Sequence, residues 1–289
     1  MTMILKDCKT FVHNWKQVIK TKIEELEQAP RLAIIQVGDV EASNRYVKNK
    51  IKDCEEVGII AHHLHFTETD FSQQDLVAEL ILIRDAYDGI IIQLPLPADF
   101  DVKFLTDILD PTQDVDGFGP YSPHKPCTPG GIMKYLEYCG WDPTGKDVTI
   151  IGRSDIVGKP LAKLMTDANA TVTLCHSKTR NIDRHVVGAD LIVSAVGKRK
   201  FLNCYAIYAP VVDVGINFDE NGKMVGDCIN TENRDVTPVP GGVGLLTRVA
   251  LLENTVLAAQ LYNDGYRRNP DGTTYNVGDR DESRTDCNK

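Results

Sequence analysis

Residues 148–165 read "VTIIGRSDIVGKPLAKLM". A buried strand, a glycine turn and an amphipathic helix follow one another without an intervening loop. That order is what a phosphate-binding strand–turn–helix unit requires: Gly152 permits the sharp turn, and the first amides of the helix face an anion. The glycines stand as G-x-x-x-x-x-G (Gly152 to Gly158), so the general G-x-G-x-x-G fingerprint is missed. Taken alone, the stretch is equally a plain strand–helix turn.

The next strand adds information. In NAD-selective sites an acidic residue lies about 20 residues beyond the glycines and takes the ribose hydroxyls. Here that region is "LCHSKTR" (174–180), which has no carboxylate and instead offers Ser177, Lys178 and Arg180. With Arg153 they place hydrogen-bond donors and positive charge where a 2′-phosphate would lie, so NADP is the expected cofactor.

Outward from this unit, strand and helix alternate along the whole chain. "RLAIIQVG" (31–38) reads as a buried strand, "EASNRYVKNKIKDCEEVG" (41–58) as a helix closed by Gly58, and "IIAHHLHF" (59–66) as a strand with partial alternation. Residues 73–87 have helical period, and "GIIIQLPLP" (89–97) is a strand broken by prolines. After the turn-rich stretch 117–130 the alternation restarts, and a last helix is expected over 247–264. The fold class is α/β with mostly parallel sheets and two domains. The N-terminal α/β catalytic domain spans 1–125 and is completed by the returning helix 247–264. A Rossmann-like dinucleotide-binding domain spans 126–246, and 265–289 reads as a polar, flexible tail.

A formal net charge of −9 argues against a general nucleic-acid binder. No apolar run approaches a membrane span, and the opening residues read as an amphipathic helix rather than a signal peptide. The cysteines are scattered without a C-x-x-C pair and fit neither a disulfide framework nor a zinc pattern. A reducing, cytoplasmic location is expected.

Tyr46 and Lys50 are one helical turn apart on a shared face, so an aromatic ring could floor a flat ligand while the amine addresses its edge. The same pairing is common on solvated helix surfaces. Gln93 ends the strand in "IIQLPLP", and Asp116 stands in "QDVDG"; both lie where an α/β sheet delivers side chains to a ligand crevice. His63 and His65 share a strand face without a third ligand in view, so no metal site is expected. Cys175 and His176 point to opposite faces and make no nucleophile–base pair.

In combination these segments carry a resemblance. "VGDVEASNRYVKNK", "GIIIQLPLP", "DVDGF", "PCTPGGI", "IIGRSDIVGKP", "CHSKT", "DVGIN" and "TPVPGGVG" occur in order. From about residue 1 to about 263 the chain resembles the bifunctional methylenetetrahydrofolate dehydrogenase/methenyltetrahydrofolate cyclohydrolase family. The resemblance implies a homodimer of one-carbon metabolism that serves purine biosynthesis. It implies NADP-dependent oxidation of 5,10-methylenetetrahydrofolate, then hydrolysis of the methenyl product to 10-formyltetrahydrofolate. It makes Lys50 the acid/base residue, oriented by Gln93, with Asp116 gripping the pterin and Tyr46 stacking on it. Gly152, Arg153, Ser154, Ser177 and Ile216 would hold NADP, and Pro238, Gly241 and Gly242 would line the folate site. The chain departs from the family pattern in a shorter 117–125 segment, in Leu245 and Leu246 after "PGGVG", and in "KRKFLNCYAIYAP". The alternatives are a dehydrogenase with an impaired second step, a shikimate-type dehydrogenase, and a non-catalytic folate- or nucleotide-binding module.

Overall fold

The computed structural model describes residue 5 and residues 7–204, 207–232, 234–263, 266–268 and 274–276. The chain divides into two compact units: Lys16–Lys125 with Leu251–Lys289, and Met1–Trp15 with Pro126–Ala250. The divisions therefore fall inside the first helix, α1 (Cys8–Glu24), and inside the last, rather than at their ends.

The first unit holds β1 (Arg31–Val37), α2 (Glu41–Val57), β2 (Ile60–Phe66), α3 (Gln73–Ile83), β3 (Gly89–Ile92) and α4 (Val102–Asp107). Its sheet is parallel, in the order β2-β1-β3. β1 is central and β3 is buried along its whole length, which is why both read as continuous apolar runs. β2 is an edge strand with alternating exposure, which accounts for its histidines. Ala33, Ile35, Leu76, Leu80, Ile90 and Leu105 form the centre of one core. α2 stops at Gly58, whose φ of 97° is the left-handed cap that glycine reaches without a Cβ clash. α3 starts in a reciprocal capping box between Ser72 and Asp75.

The second unit begins with α5 (Cys127–Tyr138), β4 (Asp147–Ile151), α6 (Gly158–Asp167), β5 (Thr171–Cys175), the short α7 (Asp183–Val186) and β6 (Leu191–Ser194). Then come β7 (Leu202–Asn203), β8 (Val211–Asp213), β9 (Asn217–Phe218), β10 (Met224–Val225) and β11 (Cys228–Ile229). The main sheet is parallel throughout, in the order β5-β4-β6-β8. β7 pairs with β11, and β9 with β10, as small ribbons beside it.

One helix boundary differs from the sequence expectation. The last helix, α8 (Val243–Asn263), starts four residues before the expected 247, because the turn is complete at Gly242 and Gly244 lies inside the first helical turn. Within 265–289, expected as a polar, flexible tail, β12 (Tyr266–Arg268) and β13 (Thr274–Asn276) pair antiparallel. The rest of that segment lies outside the described residues.

Candidate active site

In the first unit the first candidate is Lys50. Its side chain points inward from α2 and is 5% exposed, so the solvated-surface reading fails. Lys50 Nζ donates to Gln93 Oε1 at 3.1 Å and lies 5.1 Å from the centroid of the Tyr46 ring, the geometry of a cation–π contact. Gln93 Nε2 donates to the Leu94 carbonyl at 2.7 Å, which fixes the amide with its oxygen toward the lysine. The backbone N–H of Gln93 is itself held by the Ile35 carbonyl at 2.8 Å, and the Leu94–Pro95 bond that follows is cis.

α2 is anchored from behind. Lys16 Nζ meets Asp53 Oδ1 at 2.7 Å and Glu56 Oε2 at 2.6 Å, and both Lys16 and Asp53 are buried. Burial alone would lower the Lys16 pKa; the two carboxylates reverse this and hold it above its ordinary value. Asp53 sits three residues beyond Lys50, so the anchor bears directly on the turn that carries the amine. Cys54, beside it, is a packed thiol pushed up to about 12 by burial.

Asp116 follows a parallel bridge between Ile90 and Asp114, which brings its turn against β3. The buried Asp114 carboxyl shapes that turn, accepting from Gly117 N at 3.2 Å and Gly119 N at 2.7 Å. Burial pushes Asp114 up to about 7, with Gly119 N–H opposing and neighbouring Asp116 adding to the rise. The 117–125 segment is tied down by hydrogen bonds at both ends. Ser122 Oγ donates to the Asp114 carbonyl, His124 Nε2 pairs with the Thr112 carbonyl, and Asn254 Nδ2 spans the Val115 and Lys125 carbonyls at 2.9 Å each. His124 is buried, which lowers its pKa.

His63 and His65 of β2 stack at 5.1 Å with nearly parallel rings. His63 pairs with Gln36 Oε1 and His65 with the Gly38 carbonyl.

The second unit carries the glycine turn. Gly152 has φ 121°, and a Cβ there would lie 2.2 Å from the Ala195 carbonyl oxygen. A Cβ on Gly158 would lie 2.0 Å from the Gly152 oxygen. No side chain fits at either position, so the G-x-x-x-x-x-G spacing is a packing requirement despite its departure from the general fingerprint. Ser154 Oγ accepts from the N–H groups of Val157 at 3.2 Å and Gly158 at 3.4 Å, which ties the turn to the start of α6.

β4 and β5 are paired neighbours (Ile151 opposite Cys175), so the Gly152–Ser154 turn and the His176–Arg180 loop leave the same sheet edge side by side. Thr179 Oγ1 accepts from His176 N, and Lys178 N donates to His176 Nδ1. This tight loop leaves Ser177, Lys178 and Arg180 exposed, as Arg153 is. Cys175 is buried, with its pKa raised by that burial, as expected of a packed thiol. Ile216 follows β8 and is 53% exposed, which no packing role explains. Pro238, Gly241 and Gly242 form the turn into α8. A Cβ on Gly242 would lie 2.4 Å from the Pro238 oxygen, and Gly241 has φ 102°.

Residues 7–116 match the family model for the tetrahydrofolate dehydrogenase/cyclohydrolase catalytic domain, and residues 126–263 match that of the family's NAD(P)-binding domain. The chain belongs to the tetrahydrofolate dehydrogenase/cyclohydrolase family. Residues 117–125 lie between the two matched spans. The bifunctional protein FolD of Aliarcobacter butzleri is 40% identical over 280 residues, covering 90% of this chain and 97% of that protein. The crystal structure of the FolD methylenetetrahydrofolate dehydrogenase/cyclohydrolase of Campylobacter jejuni superposes with a TM-score of 0.85 at 40% identity, over 89% of this chain and 98% of that one. The Trypanosoma brucei enzyme, solved with NADP cofactor and inhibitor, gives 0.83 at 29% identity over 91% and 99%. The family match sets aside the shikimate-type alternative.

The structure thus brings Lys50, Gln93 and Tyr46 together, sets the Asp116 turn beside β3, and gathers the cofactor candidates at the carboxyl ends of β4, β5 and β8. Sequence reasoning missed residues that brace the first of these: Lys16, Asp114 and Asn254. For Asp114 the signal was present, as the first aspartate of "DVD". For the others no local pattern existed, because their partners lie far off in sequence.

Proposed function

We infer that the protein oxidises 5,10-methylenetetrahydrofolate with NADP⁺ and hydrolyses the resulting methenyl cation to 10-formyltetrahydrofolate. Membership of the bifunctional family supports both steps, and the buried Lys50–Gln93 pair beside Tyr46 is the observation that carries the second. The glycine cradle at 152 and 158, which any Cβ would fill, and the basic residues after β4 and β5 fit a phosphorylated dinucleotide. Arg153, Ser177, Lys178 and Arg180 hold its 2′-phosphate side, and Ile216 offers it an apolar surface. When bound, NADP⁺ accepts hydride from the folate methylene bridge.

Hydrolysis is the work of the chain's own side chains. Water adds to the methenyl carbon and loses one proton to Lys50 Nζ; that proton passes to the ring nitrogen as its bond to the carbon breaks, and the remaining hydroxyl proton leaves to solvent as the carbonyl of the formamide forms. Gln93 Oε1 holds the amine in place, Tyr46 supports the flat ring, and Asp116 accepts hydrogen bonds from the pterin. Pro238, Gly241 and Gly242 line the folate site. The protein works as a homodimer in the cytoplasm, within one-carbon metabolism leading to purines. The family resemblance and the scattered free thiols support this setting. Among the described residues no helix is long and apolar enough to cross a membrane.

The test follows reduced cofactor and methenyl product separately after mixing protein, methylenetetrahydrofolate and NADP⁺, with NAD⁺ in parallel. Reduced NADP without methenyl build-up is expected. Build-up would mean an impaired second step. No reduction with either cofactor, together with ligand-induced stabilisation, would mean a binding module.

A further inference from the structure

Asp227 is fully buried, yet no step described above uses it. Its carboxylate accepts five hydrogen bonds. Oδ2 takes Ser194 Oγ at 3.0 Å, Val196 N at 2.9 Å and Gly197 N at 3.3 Å, while Oδ1 takes Lys198 N at 2.9 Å and Asn217 Nδ2 at 3.0 Å. Ser194 ends β6, three of these donors lie on the loop that leaves it, and the fifth is the residue after Ile216. Both segments stand where a dinucleotide-binding sheet meets its ligand.

Asp227 is in turn fixed by Asp213, the last residue of β8. Asp213 Oδ1 accepts from Asp227 N at 3.0 Å and Gly215 N at 2.9 Å, and Oδ2 accepts from Cys228 N at 2.9 Å. Asp213 N donates to Thr237 Oγ1 at 2.8 Å, which extends the network to the turn containing Pro238 and Gly242. The two carboxylates crowd the backbone so closely that a Cβ on Gly215 would lie 2.2 Å from Asp227 Oδ1, and one on Gly226 2.1 Å from Asp213 Oδ2. A buried carboxylate with every lone-pair direction met by a donor holds those donors in one arrangement, and its loss leaves several of them unpaired.

We propose that Asp227 is the positioning residue of the NADP half-site: its carboxylate holds the loop after β6 and the Ile216–Asn217 segment in the arrangement that receives the cofactor. The inference rests on the NADP reading above. Asp227 touches no reacting atom and acts through Val196–Lys198 and Asn217.

Asp227→Asn keeps the shape but turns an amide N–H₂ toward donors on whichever side it occupies. The experiment measures NADP⁺ binding by calorimetry, KM for NADP⁺ and for methylenetetrahydrofolate, hydrolysis of added methenyltetrahydrofolate, and thermal unfolding. KM for NADP⁺ is expected to rise about tenfold or more, with KM for the folate and the hydrolysis rate near wild type, since hydrolysis uses no nicotinamide. Unchanged NADP⁺ affinity, or a parallel fall of both activities with Tm, would overturn the proposal. Should Asp227→Asn fail to fold, Ser194→Ala and Asn217→Ala, which each delete one donor, decide instead. A rise of several-fold in KM for NADP⁺ supports it and no change overturns it. Wild-type protein that does not bind NADP⁺ would remove the cofactor reading and this role with it, whereas wild-type binding with indifferent variants removes the role alone.

Discussion

The two half-sites hold their working groups by opposite means. Around Lys50 the sheet and α2 supply an ordinary backbone, and the proposed chemistry rests on side chains that reach one another: Lys50 to Gln93, and Lys16 to Asp53. Around Gly152 the backbone itself is the proposed binding surface. Side chains are excluded at Gly152 and Gly158, or buried behind the loops as Asp213 and Asp227. An amine that moves protons must be aimed, and a single hydrogen bond from a fixed strand aims it. A diphosphate is recognised by several amides at once, which requires that the chain path be fixed over many residues. Damage to the first half-site should therefore be specific to one chemical step, and damage to the second should reach cofactor binding and stability together.

The largest effect is expected from Gly152→Ala. The added Cβ meets the Ala195 carbonyl, and φ 121° disfavours any side chain, so the strand–turn–helix must move. NADP⁺ binding measured by calorimetry should be lost, with a clear drop in Tm. Retained binding would mean the turn is not the phosphate cradle. Next comes Lys16→Met, which leaves buried Asp53 without its cation. Removing one partner of a buried pair costs about 3 kcal/mol, to be read by urea unfolding. Full stability would show that α2 needs no anchor.

A smaller, pH-dependent effect belongs to Asp114. Its folded pKa is raised by burial to about 7, so between the ordinary carboxyl range and that value the folded chain holds a proton that the unfolded chain has released. Its contribution to stability is therefore greatest in acid and declines as pH rises toward about 7. Asp114→Asn should remove that part of the slope between pH 5 and pH 8, and an unchanged slope would contradict the assignment. The least effect is expected from Ser72→Ala, which breaks the capping box of α3 at a cost of about 1 kcal/mol. Both enzymatic steps should keep their rates, and a loss of either would mean the two half-sites are less local than described.

The contrast also governs what could be read from sequence. β1, β3 and β4 were legible as buried apolar runs, α2 as a helix closed by Gly58, and the glycine turn as a strand–helix junction. Lys50 itself was ambiguous, because helical spacing places it on the Tyr46 face without telling whether that face meets solvent or protein. Burial decided the matter, and burial depends on residues forty and more positions away, such as Gln93. The short ribbons β7, β9, β10 and β11 escaped because two-residue strands carry no period. Asp227 escaped for a similar reason. In sequence it is one acid in "VGDC", and only the fold gathers its five donors.

The central claim is that Lys50, held by Gln93, performs the hydrolytic step and that the nucleotide half-site does not depend on it. The direct test is Lys50→Met, given methylenetetrahydrofolate and NADP⁺, with reduced cofactor and methenyltetrahydrofolate followed together. General acid–base catalysis contributes about 10²–10⁴-fold, so methenyl product should accumulate in step with reduced cofactor while NADP⁺ binding stays at the wild-type level. Hydrolysis of the methenyl product as fast as in the wild type would contradict the account and return Lys50 to a structural charge.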